Sequence, residues 1–240
     1  MEKIVYLLEL KSEIDKGDFN HQLQTDTPEQ IRRAGGTGVQ VNSVDGAVAA
    51  ASGLRYTTGT HPPDATVSVW LPSAVDEFRD GIDTIIQDLN AHASACVVTE
   101  SQPLLNQIEP DPKGRTPGFA QLAFLHRPER LGVEEWLDTW LNHHTRIAID
   151  TQATFGYTQN IVTRWLFRDQ TVGGSDGVPR YDAIVEELFP EAAMVDQHAF
   201  YGSAGDEARL DQNRSAMMAS VGRFIDLDRI DVIATSQYRY

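Results

Sequence analysis

The spacing of apolar residues changes twice between residues 119 and 167. Residues 119–126 alternate as a half-buried strand does, and residues 155–167 are rich in β-branched and aromatic side chains and contain no proline. Between them, residues 133–147 place apolar side chains three and four positions apart, as on one face of a helix. This stripe comprises Val133, Trp136, Leu137, Trp140, Leu141, His144 and Ile147. The pattern predicts a strand, a helix and a second strand.

His144 lies near the middle of the predicted helical stripe, whereas His143 falls on its edge. We therefore expect the imidazole of His144 to point inward. Burying an unpartnered polar group costs about 1–3 kcal/mol, so this ring needs a hydrogen-bond partner. Two roles fit that position: a structural histidine bonded to the backbone, or a general acid or base with a pKa near neutrality.

The second predicted strand has no purely apolar face, so one of its faces is expected to line a partly polar cavity. In strict alternation, one face carries Tyr157, Gln159, Ile161, Thr163 and Trp165. The other carries Thr158, Asn160, Val162, Arg164 and Leu166.

The same order of elements occurs twice along the chain. The first half has predicted strands at 3–10, 39–42, 66–72 and 95–100 and helices at 18–34 and 74–89. The second half continues after residue 167 with strands at 181–189 and 231–237 and a helix at 207–221. Both halves read β-α-β-β-α-β, the ferredoxin-like unit. We therefore predict an α+β chain of two duplicated halves, residues 1–107 and 118–240, separated by a segment rich in proline and glycine. The uncovered face of each sheet would pack against the other half.

Four short motifs in the second half resemble the EthD-domain family of dimeric α+β barrels. They are Trp136 and Trp140 with His144, then Tyr157-Thr-Gln159-Asn160, then Tyr181-Asp182-Ala-Ile184-Val-Glu186, and Phe224-Ile225-Asp226. The resemblance covers residues 119 to about 236, and it implies that the two halves form an intrachain barrel. In this family, the cavity handles small hydrophobic compounds. The first half lacks the motifs, so the resemblance implies one active cavity in each chain.

The resemblance also implies a cofactor-free site, because related barrels use a histidine and a tyrosine without a cofactor. His144 and Tyr157 are then the expected catalytic residues, and Trp140, Gln159, Tyr181 and Glu186 the expected substrate-binding residues. Tyr157, Gln159 and Tyr181 could instead serve cross-strand packing, and Glu186 could be a second proton carrier or a solvated strand residue. The first hypothesis is a lyase that decarboxylates, dehydrates or enolises a small aromatic or polyketide-like compound. The alternatives are a cofactor-independent monooxygenase of phenols or anthrones, and a non-catalytic small-molecule-binding protein.

The charge and composition of the chain exclude several classes of binding partner. The net charge of −15 argues against nucleic acid and anionic lipid, which are bound through Lys and Arg. No apolar run is long enough for a membrane helix, and Met1-Glu2-Lys3 does not resemble the start of a signal peptide, so we expect a cytoplasmic protein. The single cysteine, Cys96, indicates a free thiol. Adjacent His143 and His144 point apart on a helix, so no metal site is expected. A homodimer is compatible with these features.

Overall fold

The computed structural model describes residues 1–58, 62–168 and 181–240, and it contains eight strands and six α-helices in this part of the chain. The strands are β1 (Glu2–Leu10), β2 (Gly38–Ser43), β3 (Ala65–Leu71), β4 (Ala91–Leu104), β5 (Phe119–Leu125), β6 (Gly156–Arg168), β7 (Ala183–Phe189) and β8 (Ile230–Arg239). The α-helices are α1 (Lys16–Arg33), α2 (Asp76–Gln87), α3 (Val133–Asp138), α4 (Thr145–Thr151), α5 (Gln197–Phe200) and α6 (Glu207–Phe224). A π-helical segment (Thr139–His144) joins α3 to α4, and 3₁₀ turns occupy Gly46–Leu54 and Glu191–Met194. None of these helices is long and apolar enough to cross a membrane.

All eight strands form one closed antiparallel barrel in the order β1-β3-β2-β8-β5-β7-β6-β4. Strands β1 to β4 are contiguous in it, as are β5 to β8. The two groups are joined by hydrogen bonding of β4 to β6 and of β2 to β8. The prediction of an α+β barrel built within one chain is therefore confirmed. The origin of the two groups as duplicated ferredoxin-like domains stays a prediction.

Strand alternation gives the barrel an interior and a helix-covered exterior. Part of the interior is packed with apolar side chains, among them Leu7, Cys96, Phe124 and Ile233. Outside, a large apolar cluster packs the first group of strands against α1 and α2. A second cluster packs the other group against the α3–α4 segment and α6. Both faces of most strands are consequently buried.

The predicted helix at 133–147 is interrupted by the π-helical segment. There the amide of Thr145 donates to the carbonyl of Trp140, five residues back. Such a turn holds one extra residue, so the buried stripe shifts by one position beyond it. After Trp136, Trp140 and His144, the buried side chains are Thr145, Ala148 and Gln152, whereas Ile147 is half-buried. The placement of Val133 in the inward stripe is wrong, because its side chain is 56 % exposed at the first helical residue.

The strict alternation predicted for β6 also fails, at Thr163. The pairing of β4 with β6 shifts between Val97 and Val98, and this bulge skips Thr163. An extra residue reverses the face of the residues that follow it. Trp165 therefore packs with Val162 against the barrel interior, although the sequence placed them on opposite faces.

Candidate functional site

A cavity of about 340 Å³ lies between the outer face of the second group of strands and its helices. Its floor includes Leu125, Val185 and Val232 from the sheet, and its roof includes Met217, Val221 and Phe224 from the end of α6. Several polar side chains converge on these apolar walls, among them Gln121, His144, Gln152, Tyr157 and Glu187. An apolar pocket with a few converging polar groups is the usual form of a small-molecule site.

Three of the polar groups form one row across the sheet. Tyr157 of β6 is directly opposite Glu187 of β7, and Glu187 is directly opposite Gln121 of β5. Side chains directly opposite in antiparallel strands share a face and lie about 5 Å apart at Cβ. The strand register therefore holds a phenol, a carboxyl and an amide side by side.

Glu187 is the most perturbed acid at the cavity. Its side chain is 5 % exposed, and Nε2 of Gln121 lies 3.5 Å from Oε2, at the limit of a hydrogen bond. Its other oxygen, Oε1, has no hydrogen-bond partner. Burial raises the pKa of this carboxyl to about 7, because the charged form loses hydration that the pocket does not replace. Sequence reasoning missed Glu187 and named its neighbour Glu186.

Tyr157 is 1 % exposed, and its hydroxyl accepts a long hydrogen bond from Nε1 of Trp140 at 3.4 Å. Burial, and after it the negative charge of Glu187, raise the pKa of Tyr157 above its ordinary value. The phenol is therefore uncharged at neutral pH, and its O–H can donate a hydrogen bond.

His144 is buried, as its place in the stripe predicts, with 5 % of its surface exposed. Its Nδ1 lies 3.0 Å from the hydroxyl of Ser220 on α6, and its ring packs against Phe224. Burial lowers the pKa of His144 to about 4, so the imidazole is neutral at physiological pH. Nε2 is the ring nitrogen left for a ligand. When Nδ1 accepts from Ser220, Nε2 carries the hydrogen and acts as a donor.

Trp140 lines the cavity together with His144 and Tyr157, so the structure brings these three predicted site residues together. Gln159 shares the face of Tyr157 but is engaged in other contacts. Its Nε2 donates to the hydroxyl of Thr145 at 2.7 Å, and its Oε1 accepts from the hydroxyl of Ser101. Gln159 thus ties β6 to β4 and to the first residue of α4.

Tyr181 and Glu186 lie on the barrel side of the sheet. Tyr181 packs on Phe124 in the interior cluster, and its hydroxyl donates to Asp231 at 3.0 Å. The carboxylate of Glu186 accepts hydrogen bonds from three side-chain amides, those of Gln40, Asn42 and Gln237. Neither residue lines the cavity behind the sheet, and substrate-binding roles for them and for Gln159 stay predictions.

The corresponding region of the first half is densely packed. Tyr6 is fully buried there, and its hydroxyl donates to Asp83 at 2.8 Å. Asp83 in turn forms an ion pair with Arg79 on the same helix. The space that holds a cavity in the second half is occupied here by core side chains such as Phe19 and Ile86.

Among the residues that the structure describes, no group of three or more His, Cys, Asp and Glu side chains is placed to hold a metal ion. The polar groups that line the cavity are the imidazole of His144, the carboxyl of Glu187, two amides and three phenols, besides the indole N–H of Trp140. Such a set can donate hydrogen bonds and exchange a proton.

No protein-family model matches this sequence, and no curated protein matches it significantly. Solved structures with the same architecture do align with it along almost the whole chain. An anthrone oxidase-like protein matches with a TM-score of 0.55 and 12 % identity, covering 100 % of this chain and 91 % of its own. A Lactobacillus acidophilus NCFM protein provisionally described as a monooxygenase matches with a TM-score of 0.47 and 9 % identity, covering 99 % of this chain and 93 % of its own. A mutant chlorite dismutase from Candidatus Nitrospira defluvii matches with a TM-score of 0.44 and 8 % identity, covering 98 % of this chain and 90 % of its own. The first of these alignments supports the α+β barrel fold.

Proposed function

We propose that this protein binds a small aromatic or polyketide-like compound in the cavity behind the second sheet and removes a proton from it. The reaction class is a cofactor-free lyase or enolising activity, in line with the resemblance to EthD-domain proteins. The observation that carries the proposal is Glu187, a buried carboxyl that lines a mostly apolar pocket and has one oxygen without a hydrogen-bond partner.

Glu187 has the properties of a general base. A proton acceptor works best when its pKa is near the working pH, and burial raises the pKa of Glu187 to about 7. Its unpartnered Oε1 is the atom available to take the proton. In the proposed step, this oxygen removes a proton from a carbon that is next to a substrate carbonyl or, as in anthrone, conjugated with it through an aromatic ring. The electron pair of the broken C–H bond moves into the carbonyl group, which becomes an enolate.

His144 and Tyr157 supply the hydrogen bonds that the enolate oxygen requires. Both groups are neutral at pH 7, because burial lowers the pKa of the imidazole and raises that of the phenol. Donors fixed in a water-poor pocket stabilise a developing oxyanion more than they would in water. In a dehydration, the carbonyl re-forms, the electron pair makes a C=C bond to the neighbouring carbon, and the bond from that carbon to its hydroxyl breaks. The hydroxyl takes the proton held by Glu187 and departs as water, which returns the carboxylate to its starting form.

A cofactor-independent oxygenation is the second candidate. The fold is shared with an anthrone oxidase-like protein, and the same enolate or phenolate is the species that molecular oxygen would attack. For anthrone, the balanced reaction converts the ring methylene to a carbonyl, with one O₂ consumed and one water released. Glu187 would take the first proton in this reaction also.

Hydrogen exchange and oxygen uptake, measured with anthrone, test the proposal and separate the two candidates. Under nitrogen in D₂O, the wild-type protein should accelerate deuterium incorporation at the methylene carbon, observed by NMR. Glu187→Gln should reduce this acceleration by about 10²–10⁴, the usual contribution of a positioned general base. The matched control, Glu135→Gln, changes an exposed carboxylate on α3 and should behave as wild type. Oxygen consumption that depends on Glu187 would favour oxygenation. Exchange at the buffer rate with wild-type protein would refute proton abstraction.

A further inference from the structure

The first half of the chain contributes a residue to the cavity of the second half. Tyr56 follows the 3₁₀ turn Gly46–Leu54 and lies at the rim of the cavity, with 47 % of its surface exposed. Leu227 and Met218, which are similarly exposed, lie on the same rim. Access from solvent therefore passes a side chain that belongs to the other half.

Backbone pairing fixes the position of Tyr56. Its amide donates to the carbonyl of Val232 at 3.0 Å, and the amide of Val232 donates back to the carbonyl of Tyr56 at 2.7 Å. Strand β2 pairs with β8 only from Ser236 to Arg239, so this bridge uses the edge of β8 that β2 leaves open. The amide of Thr58 also donates to the carboxylate of Asp231 at 3.1 Å.

The Tyr56 side chain also forms a hydrogen bond across the rim of the cavity. Its hydroxyl donates to the carbonyl of Leu227 at 2.7 Å, in the connection between α6 and β8. The ring therefore spans from the bridge at Val232 to this connection. An exposed hydrogen bond of this kind is worth little net free energy, so it can break and re-form readily.

We propose that Tyr56 determines which ligands reach and fit the cavity, with its ring as part of the rim and its hydroxyl bond to Leu227 as the latch. This inference rests on the proposed function only in taking this cavity as the binding site. The expected ligands are flat phenols, or their keto forms, of two or three rings, and polycyclic phenols of four rings or more are excluded while the latch is closed.

The latch can be tested without any substrate, through the reactivity of His144. Diethyl pyrocarbonate modifies neutral imidazoles, and His144 is neutral at pH 7, buried, and part of the cavity lining. Its modification rate, read by mass spectrometry, should rise about two- to tenfold in Tyr56→Phe, the equivalent of one lost hydrogen bond. It should rise further in Tyr56→Ala. The exposed His143 of the same protein should react at an unchanged rate.

Tyr240→Phe is the matched control, because the Tyr240 hydroxyl also donates to a backbone carbonyl at 2.7 Å, that of Gln24, outside this cavity. It should leave the His144 rate as in wild type. Equal His144 rates in wild type, Tyr56→Phe and Tyr56→Ala would overturn the inference.

Two fluorescent phenols then test size selection. Tyr56→Ala should bind 1-hydroxypyrene, with four rings, about tenfold better relative to 2-naphthol, with two rings, than the wild type does. An unchanged ratio with measurable binding of both would refute selection by Tyr56 and leave the proposed function standing. If the His144 rates depend on Tyr56 but wild type binds neither phenol, the latch is supported and the proposed ligand class fails.

Discussion

Replacing Glu187 by glutamine should make the protein more stable above neutral pH, although it removes the proposed catalytic base. Gln has nearly the same shape and carries no charge, so it avoids the penalty of burying a carboxylate. The pKa of Glu187 rises from its ordinary value of 4.5 to about 7 in the folded protein. At 1.36 kcal/mol per pKa unit, this shift corresponds to about 3 kcal/mol of unfolding free energy.

The direction of the effect follows from proton counts. Between pH 4.5 and pH 7, the folded protein holds a proton on Glu187 that the unfolded chain has lost. The unfolding free energy therefore falls as pH rises through this window, and it does not change further above it. In Glu187→Gln this fall is absent. The stability of the variant relative to wild type should increase by about 3 kcal/mol from pH 4.5 to pH 8.

Urea unfolding followed by tryptophan fluorescence at pH 5, 6, 7 and 8 measures this difference, because effects common to both proteins cancel. Glu186→Gln, at the neighbouring residue, is the control, and its unfolding free energy is expected to change in the opposite direction. Its carboxylate accepts hydrogen bonds from three side-chain amides, so a glutamine there should destabilise the protein by about 2–4 kcal/mol at pH 7. A constant stability difference between Glu187→Gln and wild type across the pH range would refute the assignment of Glu187 as a buried, uncompensated acid.

Three further outcomes are expected. His144→Gln should lower turnover about 10²–10⁴-fold if the imidazole acts on substrate. Wild-type protein should lose about 3 kcal/mol of unfolding free energy as the pH falls from 6.5 to 4, because His144 is protonated in the unfolded chain but stays neutral in the folded protein, where its pKa is about 4. This loss should be absent in His144→Gln. Full activity in a folded His144→Gln protein would remove the residue from the mechanism. Calorimetric titration with 2-naphthol should give one site per chain, because core side chains fill the equivalent space around Tyr6, and two equal sites would contradict this. Cys96, fully buried in the barrel with a pKa raised to about 12, should resist Ellman's reagent until the protein unfolds, whereas rapid labelling of the native protein would contradict its place in the barrel.

Hydrophobic periodicity predicted most of the fold, because strands and amphipathic helices impose different spacings on the same residues. All eight predicted strands and the four long helical stretches occur in the structure. Elements without such a spacing were missed, including the 3₁₀ turn Gly46–Leu54, in which small residues predominate. Helix α1 includes Pro28 in its interior, where proline normally kinks or ends a helix.

The candidate site was only partly predictable, for a reason visible in β7. All seven residues of Ala183–Phe189 are buried, because the barrel covers one face and the helices cover the other. Adjacent Glu186 and Glu187 must point to opposite faces of the strand. Because both faces are buried, the sequence shows no difference in polarity between them and does not indicate which glutamate lines the cavity. Tyr56 was missed because its contact with Leu227 joins residues far apart in the sequence.

Closure of the barrel within a single chain also bears on how copies of this protein could associate. Each of the eight described strands has a partner on both sides, and Tyr56 bridges the part of β8 that β2 leaves open. The described strands therefore offer no long free edge to which a strand of another copy could add. A homodimer formed by the described part of the chain would pack through helices and loops. Such a contact would involve side chains rather than backbone hydrogen bonds, and surface substitutions could disrupt it while leaving the barrel and its cavity intact.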